Sequence, residues 1–293
     1  MVKGKNDKIY TAFCAGVSIT FAVICFYPLL YSLFLSFCTD AEWIASGGKI
    51  WYFPTDPTLT AYLKILGSTD IIMRALGMSF LRTLVGTALG ITVNILAAYA
   101  LSRQDLPGKG VFLKIMVFTI LFSGGLIPGY KTVEATGLMD SIWALIIPGL
   151  FSSWNVLILK QFIEGIPREM EESAEIDGAN HLQKLWFIIL PMSKAVLSAI
   201  CMFTMVGHWN NWFDVSLYIK DSRMWTLQYY IMINFNNLSQ IDSSKVEIGI
   251  NGGVTQLTQR MALTIVGFVP ILCIYPFFQR FFKDGVYLGA VKG

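Results

Sequence analysis

The apolar positions of this 293-residue chain fall into six long runs, not into the spaced stripes of amphipathic surface helices. The runs cover about Ile9–Phe37, Ile72–Leu101, Val111–Tyr130, Ser141–Ile163, Pro191–Tyr218 and Met261–Phe282. A helix needs about 20 apolar residues to cross the hydrocarbon core of a bilayer, and each run meets that length. The pattern therefore predicts an all-α membrane protein of six transmembrane helices in one transmembrane domain, residues 1–293. Pro128 and Pro148 fall inside the third and fourth runs, where neighbouring helices can satisfy the backbone groups a proline frees. The first run follows the basic start "MVKGKNDK". It is longer than the roughly 7–15 residues of a leader's apolar region and ends in bulky residues, so it reads as a retained span.

Composition agrees with the runs. The chain is 55% hydrophobic and only 14% charged, where a soluble domain carries about 25%. A net charge of +3, scattered along the chain, gives nucleic acid nothing to bind. The five cysteines, Cys14, Cys25, Cys38, Cys201 and Cys273, are dispersed and mostly sit in apolar runs, where cysteine packs as a small hydrophobe. His181 and His208 lack metal-ligand spacing, so no metal site is expected. Of the 22 Lys and Arg residues, about thirteen fall at the two termini and in the 2–3 and 4–5 connections, against about eight on the other side. The positive-inside rule then places both termini in the cytoplasm.

The connection between the fourth and fifth runs, residues 164–190, concentrates the acid. Glu164, Glu169, Glu171, Glu172, Glu175 and Asp177 stand there against one cation, Arg168, between positions 164 and 177. The segment "IPREMEESAEIDG" punctuates a short helix. Pro167 suits a helix start, the glutamates favour the positive end of the helix dipole, and Gly178 suits a left-handed stop. A second helical segment from about Asn180 leads to Pro191, where the fifth span can begin. Met170, Ala174 and Asp177 fall on one face with Glu171 and Glu175 alongside, a small acidic surface for a partner's cationic groove. A solvated acidic connector is the plain alternative.

Glu172, Ala174, Gly178, Ile188, Leu190 and Pro191 resemble the pattern E-A-A-x-x-x-G-x9-I-x-L-P, with Ser173 at the usual second alanine. This is the "EAA" loop of binding-protein-dependent ABC importers. "FPTDPTLTAYLKIL", "TLVGTALGITVNILAAYALSR", "GLMDSIWALIIPGLFSSWNVLILKQF", "GHWNNWFDVSLYI" and "YPFFQRFFKDGVYLGAVKG" resemble, along most of the chain, the sugar-importer permeases related to the maltose transporter's smaller permease. Within these, the chain is most similar to the group serving complex or acidic oligosaccharides, such as alginate importers.

The resemblance implies a permease subunit in the bacterial cytoplasmic membrane, carrying an oligosaccharide by alternating access. It implies a second, non-identical permease, two ATPase subunits that hold ATP and Mg, and an external solute-binding protein. It makes Glu172, Ser173, Ala174, Asp177 and Gly178 the coupling helix seated in the ATPase, and turns the tail Gly289, Ala290, Val291, Lys292 and Gly293 toward the ATPase interface. The chain is not expected to be an enzyme. No G-x-x-x-x-G-K-[ST] occurs, and "LPGKGV" has Arg103 where the first glycine of a phosphate loop belongs.

Ionisable groups inside a span are costly, about 2.5–3.5 kcal/mol on insertion scales. Arg82 in the second run is expected to snorkel outward or pair across a subunit interface, and Asn94 and Asn155 to bond between helices. "HWNNWFD" contributes the candidate translocation path, His208, Trp209, Asn210, Asn211, Trp212 and Asp214, because aromatic faces stack on sugars while amides and carboxylates bond hydroxyls. On a continuous helix Asn210 and Asp214 would share one face, and His208 and Trp212 another. Tight helix packing accounts for the same residues. An ion-coupled secondary transporter is the competing class, with Asp214 as its main candidate residue.

Overall fold

The computed structural model describes residues 5–47, 49–67, 70–239 and 256–290. Its regular structure is helical throughout, with no strand among the described residues. The helices are α1 (Lys5–Ser36), α2 (Asp40–Ala45), α3 (Thr60–Gly67), α4 (Asp70–Ser102), α5 (Lys109–Leu121) and α6 (Leu126–Ala135), followed by two 3₁₀ turns, Ile142–Leu145 and Ile147–Gly149. Then come α7 (Ser153–Glu164), α8 (Arg168–Ile176), α9 (His181–Lys184), a π-helical stretch Leu185–Ile189, α10 (Leu190–Met192) and α11 (Lys194–Asn210). The chain continues through α12 (Phe213–Tyr218), a 3₁₀ turn at Ser222–Met224, α13 (Leu227–Ser239) and α14 (Gln256–Ala290).

Three helices are long and apolar enough to cross a membrane unbroken, Tyr10–Ser36, Asp70–Ser102 and Leu257–Phe277. The other three expected spans are bent pairs. Lys109–Leu121 and Leu126–Ala135 meet at 117°, Ile142–Gly149 and Ser153–Glu164 at 46°, and His181–Met192 and Lys194–Asn210 at 83°. Counting each pair as one span gives up to six. The expected third run to Tyr130 and fourth run from Ser141 are thus each broken, at Phe122–Gly125 and at Leu150–Ser152. The fifth does not start at Pro191, which lies in α10 behind the bend; the straight helix starts at Lys194.

Two compact units divide the chain, residues 1–70 with 233–269, and residues 71–232 with 270–293. In the first unit, Leu35, Cys38 and Ile50 form a small core with Leu257 and Met261 against it. Phe34 and Phe37 pack on Phe53, and the Tyr62 hydroxyl lies 2.7 Å from the Ser36 hydroxyl.

The second unit is organised by α4, whose pattern inverts that of a water-soluble helix. Its buried stripe is small and polar, running through Ser79, Arg82, Thr83, Gly86, Thr87, Gly90 and Asn94, while Phe80, Leu81, Leu84 and Leu96 face outward. In lipid there is no gain from hiding leucines, and close packing with interhelical hydrogen bonds replaces it. One end of α4 enters an apolar core of Ile95, Ala98 and Tyr99 with Val156 and Leu159 of α7, Ile189, and Ile200 of α11. A second core gathers Val133, Ala144, Leu145, Val215 and Tyr218.

Asn94 explains how the fourth span can be broken inside a bilayer. Its Nδ2 donates to the Leu150 carbonyl at 2.9 Å, and its Oδ1 accepts from the Ser152 N–H at 2.9 Å. The backbone groups released between the 3₁₀ turns and α7 are satisfied by one amide from α4, as a nonaqueous setting requires. The interhelical role expected of Asn94 is the one it fills. The Ser152 hydroxyl in turn accepts from the Asn155 N–H and caps α7.

Candidate functional site

The acidic connection folds as a helix, a left-handed glycine and a second helix. Pro167 precedes α8 with φ −56°, and Glu169 and Glu171 occupy its first turn, where carboxylates complement the exposed N–H groups. Gly178 has φ +80°. The Gly178 N–H donates to the Glu175 carbonyl at 3.0 Å and the Ala179 N–H to the Ala174 carbonyl at 2.8 Å, the double closure that a left-handed residue permits. Asn180 and Gln183 then form a capping box that starts α9 at once. Nothing lies within 4 Å of a Cβ built on Gly178, so the glycine is required by its backbone angle and not by crowding.

The six carboxylates divide into two sets. Glu164 accepts from Lys160 at 2.7 Å and Lys109 at 3.0 Å. Glu175 accepts from Lys184, whose hydrogen bond holds that carboxyl below the usual carboxylate range. Glu171 pairs with Arg103 at 2.5 Å. Glu169, Glu172 and Asp177 are exposed and make no ion pair among the described residues. Of the face of α8 expected to meet a partner, Met170 and Asp177 are exposed, whereas the flanking Glu171 and Glu175 pair with their own chain; Glu172, Ser173 and Ile176 are exposed as well. No α8 side chain is buried, Ala174 is half-buried, and Ile176 is 87% exposed. A groove of about 520 Å³ runs between α8 and the end of α4, lined by Arg103, Asp105, Glu164, Arg168, Glu171 and Glu172.

Of the expected tail, Gly289 and Ala290 close α14, and Val291, Lys292 and Gly293 lie outside the described residues.

The "HWNNWFD" segment is not one helix. α11 stops at Asn210, Asn211 is extended, and α12 starts at Phe213, so Asn210/Asp214 and His208/Trp212 are not same-face pairs. The cause is Arg82. Its Nη1 donates to the Asn211 carbonyl at 2.7 Å and to Asp214 Oδ1 at 3.1 Å, and its Nη2 is bonded to Asp214 Oδ2. Arg82 is 1% exposed. It neither snorkels nor waits for another subunit: it pairs within the chain. Asp214 also accepts from Asn211 Nδ2 at 3.0 Å and from the Val215 N–H at 2.8 Å. Trp209 is 2% exposed and packs edge-on against Phe80 at 5.1 Å. His208 is half-buried and hydrogen-bonds to the Gly86 backbone. Asn210, Asn211 and Trp212 are exposed. Of the six candidate path residues, three thus serve the packing of α4 against α11 and α12, and three are exposed, Asn211 with its amide already bonded to Asp214 and the Phe213 N–H.

Residues 110–286 match the family described as "Binding-protein-dependent transport system inner membrane component". The chain belongs to that family. The family expected from the residue 172–191 pattern is the one found. The chain is 38% identical, over 98% of its own length and 100% of the other, to the "Polygalacturonan/rhamnogalacturonan transport system permease protein" YtcP of Bacillus subtilis. It is 25% identical, over 94% of itself and 95% of the other, to the trehalose/maltose transport system permease protein MalG of Thermococcus litoralis. Among solved structures it is similar in fold, with TM-score 0.86, 24% identity and coverage of 96% and 99%, to a chain of a bacterial ABC transporter involved in import of the acidic polysaccharide alginate. The match makes this chain an inner membrane component, and its helices make it multi-pass.

Within this permease the feature that sequence reasoning missed is the seam between α4 and α11. Gly86 and Gly90 are one turn apart on α4, a small-xxx-small spacing visible in "GTALG". A Cβ on Gly86 would fall 2.7 Å from His208 Nε2, and one on Gly90 would fall 3.9 Å from the Thr204 methyl. Gly86→Leu should therefore force α4 and α11 apart, at about 1–3 kcal/mol for overpacking. Gly86→Ala combined with His208→Ala should recover part of the loss that Gly86→Ala causes alone. Thermal unfolding of the detergent-purified chain measures both, and equal melting for Gly86→Leu and wild type would refute the close approach.

Proposed function

We propose that this chain is a permease subunit of an ATP-driven importer that moves an oligosaccharide into a bacterial cell by alternating access. It works with a second, non-identical permease, two ATPase subunits that bind ATP and Mg, and an external solute-binding protein. Both termini and the α8–α9 elbow face the cytoplasm, as the distribution of Lys and Arg supports. The elbow is the coupling element. The single observation behind this is the division of its acid: half is tied to the chain's own cations, and Glu169, Glu172 and Asp177, unpaired among the described residues, stand on the outer face beside the exposed Ile176. A helix built this way offers a partner charge and an apolar knob while keeping its own footing. Closure of the ATPase pair would carry α8 with it and shift the bundle between two states, each stabilised by different contacts.

The relatives support an oligosaccharide cargo, and two of them an acidic one: polygalacturonan, like alginate, is a chain of uronic acids. Asn210, Asn211 and Trp212, still exposed, are the residues of this chain nearest in kind to a sugar path. The ion-coupled alternative loses its main residue, because Asp214 is occupied by Arg82.

The test is ATP hydrolysis by the reconstituted complex with its binding protein. Oligogalacturonate should stimulate it more than a neutral maltooligosaccharide of equal length, and uptake should persist when ion gradients are collapsed. Uptake that needs an ion gradient and no ATP would overturn the proposal.

A further inference from the structure

α8 buries none of its own side chains, so apolar packing does not fix its direction. Its ion pairs do. Glu175 binds Lys184, which belongs to the same connection, while Glu171 binds Arg103, the first residue beyond α4. Among the described residues, Arg103 is the cation that joins α8 to a span outside its own connection. The guanidinium is itself seated, with its carbon 4.2 Å above the Tyr99 ring. Tyr99 is 7% exposed and packed in the core with Leu159, Leu185 and Ile189. Nε and Nη2 of Arg103 are buried without a hydrogen-bond partner among the described residues. From Tyr99, α4 runs back unbroken to Arg82, seventeen residues away, or about 25 Å at 1.5 Å per residue. Arg82 holds the break between α11 and α12.

We infer that Arg103 is a positioning residue that passes movement of the elbow to α4, making α4 the rod between the cytoplasmic elbow and the Arg82–Asp214 lock. This rests on the coupling role proposed for the elbow. The fifth span, although next in sequence, is a poorer transmitter, because the chain turns 83° between α10 and α11. The rod also reaches the segment where the exposed Asn210, Asn211 and Trp212 lie.

The experiment uses the full complex in proteoliposomes, in a background free of native cysteine, with Asn210→Cys as reporter. The rate of thiol labelling is read without nucleotide and in the ATP–vanadate state, so no substrate need be known. Arg103→Glu should abolish the nucleotide-driven change in labelling while ATPase subunits still co-purify. Glu171→Arg should do the same, and the double exchange should restore the change, which a variant that merely fails to fold could not do. Arg103→Lys should keep part of it. Glu172→Ala is the control for the elbow. If Glu172→Ala removes the change and Arg103→Glu leaves it intact, the transmission role falls and the elbow's role stands. If neither affects it, the elbow's coupling role falls as well. A double exchange as inert as Arg103→Glu also overturns the inference.

Discussion

Asp214→Ala should destabilise the folded chain by about 3–5 kcal/mol, the cost of leaving a buried charge without its partner. The side chain it would strand is Arg82, 2% exposed, with no other carboxylate bonded to it among the described residues. The loss should spread beyond the pair, since the same guanidinium satisfies the Asn211 carbonyl where α11 ends. Asp214→Asn, which keeps an acceptor and the contact to Val215, should lose less. Arg82→Lys should lose more than a change of cation suggests, because one ammonium cannot reproduce the fork that reaches Asn211 and both Asp214 oxygens. Thermal unfolding and monodispersity of the purified chain are the measurements. An Asp214→Ala chain that melts with wild type would show that the ion pair is dispensable.

Gly178→Val should abolish coupled transport while the bundle still folds. At φ +80° a side chain costs about 1–2 kcal/mol, more when β-branched, and the helix closure onto Ala174 and Glu175 fails with it. Because the surroundings are empty, Gly178→Asn, which tolerates the left-handed region, should retain much of the activity. Glu172 makes no ion pair among the described residues, so Glu172→Ala should leave melting unchanged and lower the ratio of uptake to ATP hydrolysed. Uptake per ATP in vesicles, set beside the melting curve of each variant, separates uncoupling from misfolding. Coupled transport at the wild-type level in Gly178→Val would remove the elbow from the mechanism.

The fold was legible wherever apolar length decides it. Runs at Ile9–Phe37 and Ile72–Leu101 became the apolar spans of α1 and α4 to within two residues, and Met261–Phe282 overlaps the apolar part of α14, Leu257–Phe277, with both ends displaced by four or five residues. It was not legible where helices break inside the bundle. Hydropathy cannot see a bend that leaves the composition apolar, and the breaks at Leu150–Ser152 and Asn211–Trp212 are satisfied by Asn94 and Arg82, 58 and 129 positions away. Those two polar residues were conspicuous in sequence; their destinations were not. The elbow was readable because Pro167, the early glutamates and Gly178 act locally. Which of its glutamates turned inward was not, because that depends on Arg103 approaching from the end of α4 and on Lys184 folding back across the Gly178 turn.

The most direct measurement purifies this chain from its native membrane in mild detergent and identifies the co-purifying subunits by mass. An ATPase and a second permease should come with it. The ATPase alone should be lost when Glu169, Glu172, Ile176 and Asp177 are replaced together by serine. A stable assembly of this chain with no ATPase, or an ATPase retained through that change, would contradict the elbow as the point where ATP-driven movement enters the protein.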